Sequence, residues 1–88
     1  MSIEEKISSV TNMLKVISPE LKQHLIVEDN FACLEASSGL RRLTFYFEPN
    51  KVTYVKAHMD KLEDEEEFLP SIENIFGAYK WLNEGKLK

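Results

Sequence analysis

The chain has 88 residues, of which 43% are hydrophobic and 30% are charged, and its formal net charge is −4. This composition is typical of a folded globular domain and excludes an intrinsically disordered chain. No apolar run approaches the roughly 18 residues that a membrane-spanning helix needs. The acidic, amphipathic start is not that of a signal peptide, and the single Cys33 cannot form an internal disulfide. We therefore expect one domain, residues 1–88, in the reducing cytoplasm.

The first element predicted is an amphipathic helix over residues 3–17. Ser2 and Glu5 form a capping-box pattern, which favours a helix start. Apolar residues then recur at steps of four, three, four and three, as one face of a helix requires: Ile3, Ile7, Val10, Leu14 and Ile17.

Extended structure is predicted next. Residues 25–27 are apolar, and Ile26 and Val27 are β-branched; residues 31–36 alternate, with Ala32, Leu34 and Ala36 on one side of the chain. The polar residues 28–30 divide them either into two short strands or into one bulged strand, and the sequence leaves both alternatives open.

Residues 40–59 predict a β-hairpin that contributes most of the strand signal. Leu43, Phe45 and Phe47 alternate with polar residues, and Pro49–Asn50 favours a turn. A two-residue loop would place Val52 and Tyr54 beside the phenylalanines, and a three-residue loop would instead place Thr53, Val55 and Ala57 there. The three-residue loop is preferred, because it buries the less polar row and leaves Lys56 and His58 outside.

The last predicted element is a helix over residues 71–84. Its apolar face is formed by Ile72, Ile75, Phe76, Tyr79 and Leu82, and Gly77 inside it suggests close packing on the sheet. Before it, residues 60–63 resemble a second helix cap that opens an acidic helix start. The fold class is therefore α+β: an N-terminal helix, a three- to four-stranded antiparallel meander and a C-terminal helix, with both helices packed on one sheet face.

Negative charge is concentrated in residues 60–67. This stretch holds six acids and one base, whereas the other eighty residues have a net charge of +1. An acidic surface attracts and selects basic partners, although a solvated helix start would have the same composition. The predicted contact residues are the acids with an aromatic anchor: Glu63, Asp64, Glu65, Glu66 and Glu67, with Tyr46 or Trp81.

No catalytic motif is visible, so we expect a protein that is not an enzyme and that has no cofactor and no metal. Two weak alternatives exist. Cys33 and His58 could form a nucleophile pair, and His58 with Asp60 and a nearby acid could hold a divalent cation.

Two further hypotheses come from other function classes. A basic hairpin face, Arg41, Arg42, Lys51 and Lys56 with Tyr46, would suit nucleic acid, although the net negative charge disfavours it. An assembly or chaperone subunit would act through apolar surface, and a homodimer is compatible with that hypothesis. No membrane partner is expected.

The order helix, meander, acidic connection, helix in a short acidic chain is similar to that of phage anti-CRISPR inhibitors and bacterial toxin-immunity proteins, and the resemblance rests on the small size and on the acidic run LEDEEEF. Residues 30–82 also resemble the first half of acidic type III secretion chaperones. Neither resemblance supplies a motif whose residues carry over. The leading prediction is a non-catalytic protein-binding module, a stoichiometric inhibitor or immunity-type protein, whose acidic 60–67 surface covers a basic groove of its partner.

Overall fold

A computed structural model describes residues 2–84. Two helices flank five strands in the order α1 (Ile3–Ile17), β1 (Gln23–Glu28), β2 (Phe31–Ser38), β3 (Arg41–Phe47), β4 (Val52–His58), β5 (Lys61–Phe68) and α2 (Ile72–Glu84). The strands form one antiparallel sheet in which spatial order follows chain order, β1-β2-β3-β4-β5. The α+β class and the two terminal helices are confirmed.

The predicted count of three to four strands is wrong, because the sheet has five. A two-residue turn at Asp29–Asn30 separates β1 from β2, so residues 23–38 form a hairpin rather than one bulged strand. The fifth strand is the acidic run itself.

The helix start predicted at residues 60–63 is also wrong, since β5 occupies residues 61–68. Met59 and Asp60 both have positive φ, 52° and 64°, which is the backbone of a tight hairpin turn that sends the chain back along β4. Residues 60–67 have no apolar stripe at helical spacing that could pack on a core. An edge strand tolerates acids on both faces, and Glu63 is the extra residue where the β4–β5 register shifts.

The preferred register of the central hairpin is wrong as well. Pro49–Asn50 is a two-residue loop, closed by a hydrogen bond of 2.9 Å from the Glu48 backbone N–H to the Lys51 carbonyl. Phe47 therefore pairs with Val52, and Phe45 pairs with Tyr54. Val52 is buried, whereas Val55 lies on the opposite face. Lys56 and His58, expected outside, share the face of Tyr54.

Both helices pack on one face of the sheet. Val10 and Leu14 of α1 and Ile75 and Leu82 of α2 are fully buried, and α1 contacts α2. The sheet contributes the other side of this core: Ala32, Leu34, Ala36, Leu43, Phe45, Phe47 and Val52. The capping box of Ser2 and Glu5 is present, and Lys6 Nζ donates to the Glu48 and Pro49 carbonyls at 3.0 and 2.9 Å. These bonds fix α1 against the β3–β4 turn.

The second helix begins where the sequence indicates. Ser71 caps it by accepting a hydrogen bond of 3.2 Å from the Asn74 N–H. Gly77 does not serve close packing on the sheet, because a Cβ placed there would meet no atom within 4 Å. Neither α1 nor α2 combines the length and the apolar content that a helix crossing a bilayer requires.

Candidate functional site

The face of the sheet opposite the helices carries no covering element in the described part of the chain. Alternation along paired strands assigns its residues. We call it the open face, and it consists of His24, Ile26, Glu28, Phe31, Cys33, Glu35, Ser37, Arg42, Thr44, Tyr46, Thr53, Val55, Ala57, Leu62, Glu65 and Glu67.

One end of the open face, beside the Asp29–Asn30 and Pro49–Asn50 turns, is aromatic. Phe31 and Tyr46 have ring centroids 5.7 Å apart with an interplanar angle of 32°, so they form one tilted aromatic pair. Shallow depressions of about 270 and 290 Å³ lie against Tyr46, the second one bounded by Thr44 and Val55. Because Tyr46 borders both, a partner that filled the two depressions would hold this ring between its side chains.

The rim of the open face is acidic. Glu28 and Glu35 lie on the β1–β2 side, and Glu65 and Glu67 lie on β5. Two bases border the face, and each has an acidic neighbour. Arg42 Nη2 lies 2.6 Å from Asp60 Oδ1, and Lys51 Nζ lies 3.8 Å from Glu48 Oε2.

The negative charges of this face affect the pKa of the Cys33 thiol. Partial burial raises its pKa, and the charges of Glu35 and Glu28 raise it further. The open face therefore combines an aromatic pair near one end with acidic side chains that disfavour anions.

Strand alternation splits the predicted acidic contact set between two faces. Glu65 and Glu67 lie on the open face with Tyr46, and Glu63 is exposed at the bulge. Asp64 and Glu66 lie on the helix side, where Tyr54 Oη is 2.5 Å from Glu66 Oε2 and 3.2 Å from Asp64 Oδ2. The hydrogen bond to Glu66 is the main reason that the pKa of Tyr54 is raised, with burial and the two negative charges adding to it.

Trp81 lies on the helix side and is not brought together with Tyr46. The guanidinium of Arg41 lies 4.8 Å from the Trp81 ring centroid, and Lys56 Nζ lies 5.5 Å from it. Arg41 Nη1 also donates to the Trp81 carbonyl at 2.5 Å. These contacts join α2 to β3 and β4, so Trp81 has a packing role in which its ring is already engaged by two cations.

The structure does not bring together the residues that the weaker sequence hypotheses require. Cys33 lies on the open face, whereas His58 lies on the helix side, so the two do not form a pair. Asp60 is held by Arg42, and within residues 2–84 no three His, Cys, Asp or Glu side chains are grouped as metal ligands. The bases of the hairpin are also divided, because Arg41 and Lys56 point to Trp81 and only Arg42 and Lys51 border the open face.

Sequence reasoning missed three residues of the open face. Phe31, Glu28 and Glu35 were not among the predicted contacts, although the alternation of Phe31, Cys33 and Glu35 placed them on one side.

A groove of about 730 Å³ between α2 and the end of β5 was also missed; it is lined by Tyr54, Phe68, Gly77 and the acids Glu66, Glu67 and Glu73, among others. That groove lies between a helix and a strand, so only the tertiary structure reveals it.

Comparisons of this chain with protein-family models, with curated proteins and with solved structures found no match.

Proposed function

We propose that the protein is a non-catalytic protein-binding module that covers a basic surface of its partner with the open face and the adjoining edge of β5. The observation that carries this proposal is the uncovered sheet face with the Phe31–Tyr46 pair toward one end and with acids on both of its sides. A partner with cationic groups beside an apolar patch complements it in charge. Stoichiometric inhibition of a basic groove, as an immunity-type protein performs, is the form of activity that this surface suits.

The size of the open face sets the kind of contact. Five strands are separated by four spacings of about 4.8 Å, and strands of about seven residues rise about 3.3 Å per residue, so the flat footprint of the face is roughly 450 Å². The acidic β5 edge adjoins this footprint and extends it with matching charge.

The experiment is capture of binding partners from the source cells, followed by affinity measurement with the purified partner. The variant Glu63→Lys/Glu65→Lys/Glu67→Lys reverses three charges at the bulge and on the open face. We expect binding to weaken about 100-fold, because each reversal costs on the order of 1 kcal/mol. We also expect the affinity of the unchanged chain to fall as salt concentration rises.

A matched control variant tests whether binding depends on where the charges are reversed or only on the net charge of the chain. The variant Glu4→Lys/Glu20→Lys/Glu84→Lys makes the same change in net charge on exposed residues away from the open face and from β5. It should bind almost as well as the unchanged chain, and thermal unfolding should show both variants folded. Equal losses in the two variants would mean that only overall charge matters, and unchanged binding in both would remove the proposal.

A further inference from the structure

The two edges of the sheet are protected very differently. Acids line β5, and charged edge strands resist pairing with other chains. In β1, by contrast, three consecutive apolar residues are exposed: Leu25 at 42%, Ile26 at 46% and Val27 at 62%. No other described strand covers this edge, because β1 is terminal in the sheet.

The backbone groups that β1 leaves free follow from the hairpin turn. Glu28 and Phe31 flank the two-residue loop and form a hydrogen-bonded pair, so Glu28, Ile26 and His24 direct their N–H and C=O groups to β2. The intervening residues, Leu25 and Val27, direct theirs outward. The free edge therefore offers donors and acceptors at two alternate positions.

We propose that β1 pairs antiparallel with β1 of a second copy of this chain, about a two-fold axis at Ile26. In this register Leu25 lies opposite Val27 of the second copy, and these residues exchange the free backbone hydrogen bonds. His24 lies opposite Glu28 of the second copy on the open face, once on each side of the axis. Ile26 meets its own counterpart as a non-hydrogen-bonded pair, in which side chains are closest.

Neighbouring registers are less complementary. An axis at Leu25 sets His24 opposite Ile26, and an axis at Val27 sets Ile26 opposite Glu28. Only with the axis at Ile26 do polar residues of one strand lie opposite polar residues of the other, and apolar residues opposite apolar ones. The exposed edge of β1 is thus complementary to itself in charge and in apolar side chains. For this reason we infer that its partner is a second copy of the chain.

The pairing would join two sheets into one of ten strands. Because the two-fold axis is perpendicular to the sheet, both open faces lie on the same side and together measure roughly 900 Å². The inference does not depend on the proposed function, since it concerns the opposite edge of the sheet from β5.

The first test is sedimentation equilibrium of the full chain from low micromolar to near-millimolar concentration. We expect twice the mass of the chain at the upper end. Ile26→Lys sets two ammonium groups against each other at the axis and should raise the dimer dissociation constant tenfold or more, at about 1.4 kcal/mol per tenfold. Leu69→Lys changes an equally apolar residue that is 80% exposed at the far side of the sheet, and it should leave the mass unchanged.

The second test reads the register. With Cys33→Ser as background, Ile26→Cys places the two new thiols on residues whose Cα atoms are about 4.5 Å apart, within the range of a disulfide. Leu25→Cys places them about 8–9 Å apart, beyond that range. We expect a covalent dimer from the first variant only. A monomer at every concentration, a dimer unaffected by Ile26→Lys, or faster cross-linking through Leu25→Cys would each overturn the inference.

Discussion

Replacing Gly77 by alanine should stabilise the protein. Gly77 lies inside α2 and lines the groove between this helix and β5. Glycine in a helix interior costs about 1 kcal/mol relative to alanine, chiefly because the unfolded chain is freer there. No clash opposes this gain, because Gly77 is exposed and the added Cβ meets no atom of a neighbouring element within 4 Å.

The expected gain is therefore the whole propensity difference, about 1 kcal/mol. For a chain of this length that corresponds to an increase in the melting temperature of about 4–8 °C. Thermal unfolding followed by circular dichroism, with urea unfolding to obtain the free energy, measures both quantities.

The same substitution at Gly39 is the matched control. Gly39 has φ 61° in the turn between β2 and β3, a conformation that alanine adopts at a cost of about 1 kcal/mol. Opposite signs for Gly77→Ala and Gly39→Ala are the expected result. Destabilisation by Gly77→Ala would show that α2 lies closer to the sheet than described and would refute the reasoning.

Two further predictions concern titratable groups. The raised pKa of Tyr54 means that the folded chain keeps the phenol proton after the unfolded chain has released it, so this group's contribution to stability is complete below about pH 10 and is lost as pH rises above it. Urea unfolding between pH 9 and 11 should show a smaller alkaline loss in Tyr54→Phe, and equal losses would contradict the assignment. The raised pKa of Cys33 should slow its reaction with thiol reagents near neutral pH, and Glu35→Gln should speed it. A rate unchanged by Glu35→Gln would contradict the effect of the Glu35 charge on this thiol.

Elements with a repeating apolar pattern were predictable from the sequence. The helix at residues 3–17 has both a capping box and a regular stripe, and its predicted bounds are those observed. The alternation of Ala32, Leu34 and Ala36 likewise identified the buried side of β2. In these segments local preference and tertiary packing favour the same structure.

The acidic run could not be assigned in this way. Its residues have weak intrinsic preferences for a strand, and β5 exists because β4 offers a row of backbone partners and because the Met59–Asp60 turn reverses the chain. The register of the central hairpin is also set by backbone hydrogen bonds and not by the pattern of side chains. Both candidate loops place apolar residues on the core side, and the hydrogen bond that closes the Pro49–Asn50 turn decides between them.

The candidate site was predictable only in part. Tyr46, Glu65 and Glu67 were identified and do share a face, whereas Trp81, Asp64 and Glu66 lie on the other side of the sheet. A run of charges in the sequence does not show how its members are distributed, because alternation in a strand sends neighbouring side chains in opposite directions.

The chain-ordered meander has a consequence for how the protein folds. Each strand pairs only with strands adjacent in sequence, so every hairpin can close a short loop, an event that takes microseconds in isolated hairpins. The contact between α1 and α2 is different, since it joins the two ends of the chain and cannot form until the sheet has brought them together. We therefore expect the sheet to form before the helix pair, and we expect the docking of the helices to be slower than the formation of the strands.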